Sequence, residues 1–317
     1  MQNIVGNFLR SAMFIPVIAS SVTAGAIWRT IFGTDGGIVN SILGIFGIDG
    51  LNWLGSSKTA LICVCVVAIW KNVGYFLVIY YAGIMGLSPE LYEAARVDGA
   101  TSIQQFFKIT MPMLKPINYL VITLGIIWSF QVFDLSYTMT NGGPGRSTVT
   151  LVMGIYNAAF KEYRMGYACA MAILLLIIIL IINVVENVSL KKKKRQRGDR
   201  HMKKSKGKKI EHWTPLGIFG LFCTILITVI AVFPFIYMFL MSFTESRTLK
   251  LHLNEVDFTN LENFAYIFKN SGFLQAFINS VVVVIASCAL NVVISCMAAY
   301  GFEKKLFQAG NSFSRFI

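Results

Sequence analysis

The chain has 317 residues, of which 56% are hydrophobic, and its mean hydropathy is +0.65. Several apolar runs exceed 18 residues, which excludes an ordinary water-soluble domain and predicts membrane spans. The formal net charge of +13 does not indicate nucleic-acid binding, because the excess is concentrated between Lys191 and Lys209, beside an apolar run. Basic clusters in this position are typical of cytoplasmic loops that face anionic lipid. We therefore predict contact with membrane lipid and no contact with nucleic acid.

Six apolar spans predict an all-α, polytopic transmembrane helical bundle. Each contains the roughly 20 residues that a helix needs to cross a bilayer core. The spans are roughly 8–31, 60–86, 117–139, 165–188, 213–241 and 275–301. The Lys/Arg-rich segment 189–212 is predicted to be cytoplasmic. Alternation then places residues 87–116 in the cytoplasm and the other long loops outside.

The cytoplasmic segment 87–116 is predicted to form two short helices with a sharp turn between them. Ser88-Pro89-Glu90 has the residue types of a helix start, and Gly99 supplies the left-handed conformation that ends the first helix. The second helix is expected to begin at Thr101 or Ser102 and to end at Pro112 and Pro116. Its predicted common face is formed by Ile103, Phe106, Phe107 and Thr110. A polar loop of this kind, between apolar spans, is typical of a docking surface for a soluble partner.

The chain contains no motif for chemistry of its own. No Gly-x-x-x-x-Gly-Lys-Ser/Thr loop occurs, so any ATP must be bound and hydrolysed by a separate subunit. His201, His212 and His252 are isolated, and the cysteines lie in apolar runs at spacings that do not suit metal. We predict neither enzymatic activity, nor a cofactor, nor a metal site.

The loop resembles the EAA loop of permease subunits of ATP-binding-cassette (ABC) importers. The match begins at Glu93-Ala94-Ala95 and continues through Asp98-Gly99 to Phe106 and Pro112. The resemblance implies a type I ABC importer permease fold in the bacterial cytoplasmic (inner) membrane. It also implies that Glu93, Ala94, Ala95, Asp98, Gly99, Phe106 and Pro112 couple the chain to ABC ATPase subunits. A companion permease subunit and an extracytoplasmic solute-binding protein are the other implied partners.

Longer segments are similar to sugar permeases of the maltose type. Residues 8–190 resemble the C-terminal two-thirds of the larger permease subunit, through segments such as 52–55, 70–74, 131–145 and 163–168. Residues 213–305 resemble the start of its companion, through segments such as 234–235, 277–280 and 298–301. The expected division is 1–190 for a first permease subunit that lacks its N-terminal part, 191–212 for a basic linker or join, and 213–317 for the N-terminal part of a second, C-terminally truncated subunit.

The basic segment leaves alternatives open. Met202 opens a run typical of a cytoplasmic N-terminus, which favours a join between two adjacent subunits, either a natural fusion or a reading artefact. The other interpretation is one protein with a long basic loop. In either case we expect the fold to be incomplete.

Polar residues within the spans are candidates for the substrate path. They are Gln131, Phe133, Asp134 and Tyr137, whose mixture of aromatic, amide and carboxylate groups suits stacking and hydrogen bonding to a sugar. Alternatively, Asp134 is an interfacial residue that pairs with a neighbour. Lys71 and Asn72 either line a cavity or satisfy backbone groups freed by a bent helix near Gly74.

A second set of intramembrane polar residues lies in the last span. Asn279, Ser280, Asn291 and Ser295 are predicted to hold helices together.

The sequence thus predicts a permease subunit that moves a sugar or related solute across the membrane, coupled to a separate ATPase through Glu93–Pro116. The alternatives are an importer permease for another solute, such as an amino acid or phosphate, and an ion-coupled secondary transporter. The latter would require repeated broken spans and an ion site at the membrane midplane.

Overall fold

A computed structural model describes residues 4–196, 235–244, 256–269 and 271–303 of the chain. All regular structure in these ranges is helical, and no strand occurs in them. This confirms the predicted all-α class.

The first half of the chain contains α4, of 26 residues, and several shorter helices. They are α1 (Ile4–Ile18), α2 (Ser21–Ile31), α3 (Ile38–Ile45), α4 (Ala60–Met85), α5 (Pro89–Val97), α6 (Ser102–Gln105), a π-helical turn (Phe106–Thr110), α7 (Met111–Met113), α8 (Lys115–Phe130) and α9 (Asp134–Thr140).

The remaining described helices include the two longest. They are α10 (Leu151–Tyr156), a second π-helical turn (Asn157–Lys161), α11 (Met165–Gln196), α12 (235–242), α13 (Glu262–Lys269) and α14 (Ser271–Glu303).

Three predicted spans are confirmed as single helices long and apolar enough to cross a membrane. These stretches are Ala60–Met85, Met165–Glu186 and Gly272–Gly301. Each coincides with a predicted span to within a few residues. The predicted span 213–241 lies mostly outside the described residues, and only its end, in α12, can be compared.

Two predicted spans are interrupted, which corrects the sequence-based boundaries. Within 8–31, α1 and α2 meet at an angle of 106°. Pro16 lies near the end of α1, where it removes a backbone donor and weakens the last turn. The span predicted over 117–139 is α8, which ends at Phe130, followed after three residues by the separate helix α9. α8 instead forms a bent pair, at 73°, with the helical residues Ile103–Met113 before it.

The chain divides into two compact units. The first contains residues up to Met153 together with those from Leu274 onward, and it has two hydrophobic clusters. One joins Phe76 and Tyr80 of α4 to Phe106 and to Tyr300 of α14. The other packs Ala24 of α2 against side chains of α4 and α9.

The second unit, Gly154–Phe273, has a core of its own. Ala168 and Met171 of α11 pack with Met241 and with Ile267 of α13.

A glycine in α4 allows two helices to approach closely. A Cβ atom on Gly74 would collide with the backbone carbonyl oxygen of Met13. A real Cβ cannot occupy that position, so α1 and α4 touch here only because residue 74 has no side chain. Gly74 thus marks a contact between helices, and α4 itself continues through it without a break.

Candidate functional site

The first helix of the loop, α5, begins and ends as its sequence predicts. Ser88 occupies the N-cap position with an extended backbone before Pro89, although its side chain makes no capping hydrogen bond, and Glu90 lies in the first turn. At the other end Gly99 has φ of +78°. The N–H of Ala100 donates to the carbonyl of Ala95 at 2.9 Å, and the N–H of Gly99 donates to that of Arg96 at 3.0 Å. This pair of hydrogen bonds is a Schellman motif, which confirms the predicted turn.

The second helix of the loop starts with a reciprocal cap. The N–H of Gln104 donates to Thr101 Oγ1 at 3.3 Å, and the N–H of Thr101 donates to Gln104 Oε1 at 2.9 Å. This capping box satisfies two backbone donors that a helix N-terminus would otherwise leave free. The helix then widens into the π-helical turn Phe106–Thr110.

Buried side chains fasten the two loop helices to each other. Tyr92 of α5 is 3% exposed, and its hydroxyl lies 2.9 Å from Thr110 Oγ1 in the π-helical turn. Gln105 Nε2 donates to the carbonyl of Ala100 at 3.0 Å, which holds the turn between them. The ring of Phe106 packs edge-on against Tyr300 with centroids 4.9 Å apart. The loop is therefore attached from its inner side.

The outer side of the loop is exposed and combines charge with apolar surface. Of the predicted coupling residues, Glu93, Ala94, Asp98 and Gly99 are exposed, Ala95 and Pro112 are half-buried, and Phe106 is buried. Large apolar side chains lie on the same loop, with exposed fractions of 88% for Val97, 72% for Ile103 and 64% for Phe107.

The predicted common face of the second helix is therefore wrong. Phe106 and Thr110 point into the core, whereas Ile103 and Phe107 point outward. The members of each pair are four residues apart, and the buried pair follows the exposed pair by three positions; because residues Phe106–Thr110 form the wider π-helical turn, this offset places the two pairs on different sides. No local pattern indicates this division, because the ring of Phe106 packs against Tyr300, which is distant in the sequence.

A second candidate site is a pair of cavities around the start of α9. One has a volume of about 220 Å³ and is lined by Ser21, Ala68, Lys71, Asn72, Trp128, Gln131, Val132, Phe133, Asp134 and Leu135. The other, of about 580 Å³, is lined by Val22, Arg29, Phe133, Asp134, Tyr137, Thr138 and Asn141. Phe133 and Asp134 line both. All four residues predicted for the substrate path therefore meet in one region.

The cavities combine a stacked aromatic pair with charged and amide groups. The rings of Phe133 and Tyr137 are stacked, with centroids 5.4 Å apart and planes 29° apart. Asp134 is exposed beside them, and Arg29 lines the larger cavity. Sequence alone did not identify Arg29 as a residue of this region, because nothing in a linear pattern shows that α2 packs against α9.

Lys71 connects this region to the bend between α1 and α2. Its Nζ donates to the carbonyl of Ala19 at 2.7 Å, with longer contacts to the carbonyls of Val17 at 3.4 Å and Pro16 at 3.5 Å. These carbonyls lie where a continuous helix would have supplied their donors. Lys71 therefore lines a cavity, as the first alternative held. The second alternative was wrong about the place, because the carbonyls that Lys71 satisfies lie at the bend between α1 and α2, whereas α4 is unbroken at Gly74.

Metal ligation is not indicated in the described ranges. They contain no group of three or more His, Cys, Asp or Glu side chains arranged to hold a metal ion. The three histidines all lie outside those ranges.

Residues 2–195 match the family described as binding-protein-dependent transport system inner membrane component. The chain belongs to this family. The chain is therefore a membrane transport component of the ABC permease type, and the family consists of transport components rather than enzymes. Its multi-pass helical architecture is the type I importer permease fold, present in part.

Relatives of this permease include transport proteins with sugar substrates in their names. The arabinooligosaccharides transport system permease protein AraP of Bacillus subtilis (strain 168) is 37% identical over 187 residues, covering 58% of this chain and 59% of AraP. The trehalose/maltose transport system permease protein MalF of Thermococcus litoralis is 32% identical over 166 residues, covering 52% of this chain and 55% of MalF.

A solved structure agrees with the fold. The bacterial alginate ABC transporter, in complex with an alginate pentasaccharide-bound periplasmic protein, contains a chain with 27% identity and a TM-score of 0.52. The match covers 57% of this permease and 63% of that chain. The permease thus spans less than two thirds of each of these proteins.

Proposed function

We propose that the chain is a permease subunit of an ABC importer that moves a sugar or oligosaccharide across the cytoplasmic membrane. The observation that carries the proposal is the construction of the loop Glu93–Pro116. It is attached from inside by buried side chains and presents an exposed surface on its outer side. Such a surface suits a cleft in a soluble partner.

The proposed partner of the loop is an ABC ATPase subunit. Glu93 and Asp98 provide carboxylates at the rim of the contact, and Val97, Ile103 and Phe107 provide apolar area that is exposed in the isolated chain. Exposed apolar groups of this size favour burial against another protein. Because Tyr92 and Thr110 link the two loop helices, movement of the docked surface would be transmitted to α4 and α8, which flank the loop. In this scheme the ATPase binds and hydrolyses ATP, and residues 87–116 and 189–212 are cytoplasmic.

The proposed substrate path runs through the two cavities beside α9. Stacked rings with a neighbouring carboxylate and amide bind sugars by packing on the apolar ring faces and by hydrogen bonds to hydroxyls. Gln131, Phe133, Asp134 and Tyr137 supply these groups. The names of AraP and MalF and the alginate complex support a saccharide as substrate. A companion permease subunit and an extracytoplasmic solute-binding protein complete the proposed importer.

Capture of an ATPase subunit in detergent tests the coupling role. The chain, co-expressed with its companion permease, is immobilised and probed with the purified sugar-importer ATPase of the same genome. We expect the wild type to retain the ATPase, and Glu93→Lys and Gly99→Val to lose at least about tenfold of the binding, equivalent to about 1.4 kcal/mol. The matched control is Glu162→Lys, the same charge change at an exposed residue of another loop.

Three results would count against the proposed contact between the loop and the ATPase. Equal capture by the wild type and both loop variants would remove the loop as the contact. Equal loss in Glu162→Lys would show a general charge effect. If the assembled permeases retain no ATPase at all, the proposal is overturned.

A further inference from the structure

The helix α14 follows the basic segment 191–212 in the sequence but packs with residues that precede that segment. From Leu274 onward it belongs to the same compact unit as residues up to Met153. One face of the helix is buried, and the other carries exposed apolar side chains such as Ile278, Ile285 and Leu290. The buried face contains Asn279, Ser280 and Ser295.

Hydrogen bonds from this face reach backbone groups on the other side of the basic segment. Asn279 Nδ2 donates to the carbonyl of Val149 at 2.8 Å and to that of Arg146 at 3.2 Å. Ser280 Oγ accepts from the N–H of Leu151 at 2.8 Å. Leu151 is the first residue of α10, so Ser280 satisfies a donor that the short helix leaves free.

A third hydrogen bond lies further along the helix. Ser295 Oγ donates to the carbonyl of Val73 in α4 at 2.9 Å. The prediction that polar residues of the last span hold helices together is thus confirmed for Ser280, which bonds to α10, and for Ser295, which bonds to α4. Asn279 instead attaches α14 to the non-helical segment before α10. Asn291 is buried, and its Oδ1 makes no hydrogen bond to any of the described residues.

Close packing accompanies these polar contacts. The sulfur atoms of Cys296 and Met111 are 3.5 Å apart. A Cβ atom on Gly125 of α8 would lie 2.9 Å from Cys288 Sγ and 3.9 Å from Cys288 Cβ. The backbone of α8 therefore approaches α14 at a position where a side chain has no room.

In the second unit, too, residues that precede the basic segment contact residues that follow it. The guanidinium of Arg164 lies 3.8 Å from the ring centroid of Tyr266 and 5.0 Å from that of Tyr167. Asn263 Nδ2 donates to the carbonyls of Ser242 and Thr244 at 3.0 and 2.9 Å. A Cβ on Gly166 would collide with the carbonyl of Thr244.

We infer that the segment after the basic run is a built-in binding partner of the segment before it, with α14 packed by one face against the helices of residues 4–153. The contact is made by side chains and backbone, so it does not require the covalent connection through 191–212. Polar groups that pair inside a membrane bundle have no water to replace the partner, which favours the bound arrangement. The inference concerns assembly and does not rest on the proposed transport role.

Proteolytic cleavage of the chain within the basic segment tests whether the two parts stay bound without the covalent connection. A protease recognition site is inserted between His201 and Met202 of the full chain, which carries an affinity tag at its C-terminus. After purification in detergent and cleavage, we expect the fragment that contains α1 to α11 to stay on the affinity resin with the tagged fragment. Release of that fragment into the flow-through would overturn the inference.

An engineered disulfide gives a second measurement that does not depend on the strength of the contact. The Cβ···Cβ distance of 3.9 Å at Gly125 and Cys288 lies within the range of about 3.5–4.5 Å that a disulfide requires. In Gly125→Cys, mild oxidation should link the introduced thiol to Cys288, with loss of two protons and two electrons to the copper–phenanthroline oxidant. After cleavage the fragments should migrate as one band without reductant and as two bands with it.

Two matched variants control for chance oxidation. Gly125→Cys with Cys288→Ser should give two bands under all conditions. Adding Ile285→Cys to that pair places a thiol on the exposed face of α14 and should also give two bands. Unlinked fragments from Gly125→Cys alone would contradict the placement of α14. So would linkage found only as dimers of the uncut chain, which would mean that the contact forms between copies.

Discussion

Tyr92 and Thr110 are 18 positions apart in the sequence, and their hydroxyl oxygens lie 2.9 Å from each other in the interior of the loop. Thr110 Oγ1 also lies 3.4 Å from the carbonyl of Gln105. The pair therefore ties α5 to the π-helical turn. The exposed residues on the other side of the loop depend on this link for their relative positions.

Replacing Tyr92 by Phe tests the link. The ring is kept and one buried hydrogen bond is lost, so the free energy of unfolding should fall by about 1 kcal/mol. Thermal unfolding in detergent measures the change. The control is Tyr163→Phe, because Tyr163 is exposed, and it should leave the midpoint unchanged. Equal shifts in the two variants would mean that the hydroxyl pair contributes nothing.

The positive φ of Gly99 predicts that substitutions at this position lower the stability. No atom lies within 4 Å of the position of a Cβ on Gly99, so a side chain has space and only the positive φ opposes it. Gly99→Val should cost about 1–2 kcal/mol, and Gly99→Asn much less, because asparagine tolerates the left-handed region. Unfolding in detergent separates the two. Gly44→Val, also in open surroundings but without positive φ, should be tolerated; if Gly99→Val and Gly44→Val behave alike, the assigned turn is incorrect.

The contacts of Lys71 predict a specific loss of stability. Lys71→Met removes the ammonium that the carbonyls of Pro16, Val17 and Ala19 share, and we expect a loss of about 1.5–3 kcal/mol. Lys71→Arg should retain part of this. The measurement is unfolding in detergent, with Lys58→Met at an exposed site as the control. Similar stability for Lys71→Met and Lys58→Met would show that the bend does not need the ammonium.

Gly74 and Gly44 form a matched pair for the contact between α1 and α4. Gly74→Ala forces a Cβ against the carbonyl of Met13, and since the obstacle is backbone, a cost of about 1–3 kcal/mol is expected. Gly44→Ala, in open surroundings within α3, should be neutral or stabilise by about 0.5–1 kcal/mol. Opposite signs in thermal unfolding support the close approach, and two stabilising changes would rule it out.

The carboxylate of Asp134 is predicted to contribute to substrate binding. In the transporter reconstituted with its partners, Asp134→Asn should weaken binding of the preferred saccharide about tenfold while ATPase capture stays unchanged. Labelled arabino- and malto-oligosaccharides are suitable probes. Asp35→Asn, at another exposed position, serves as the control. Unchanged affinity in Asp134→Asn would return the carboxylate to an interfacial role.

The parts of the fold that follow from local chemistry were predictable from the sequence. The start of α5 at Pro89 and the turn at Gly99 that follows its last residue depend on nearby residues only, and both are as predicted. The spans in α4, α11 and α14 are uninterrupted apolar runs, for which length is a sufficient criterion.

The parts that depend on distant contacts were not predictable. The bend after Ile18 is stabilised by Lys71, more than 50 positions away, and hydropathy does not register it. The division between buried Phe106 and exposed Phe107 is decided by Tyr300. For the candidate site, residue types were enough to identify Gln131, Phe133, Asp134 and Tyr137. Arg29 lines the cavity because α2 packs on α9, which residue types do not show.

The bond between Lys71 and the bend also limits how such proteins can change. A single substitution that straightens α1 into α2 would leave the ammonium of Lys71 without its carbonyl partners in an apolar span. Loss of Lys71 alone would leave the carbonyls of Pro16, Val17 and Ala19 without this donor. Neither intermediate is favourable in lipid. The proline, the bend and the lysine are therefore expected to be gained or lost together, and a chimera that exchanges α1 and α2 between two relatives should fold only when residue 71 is exchanged with them.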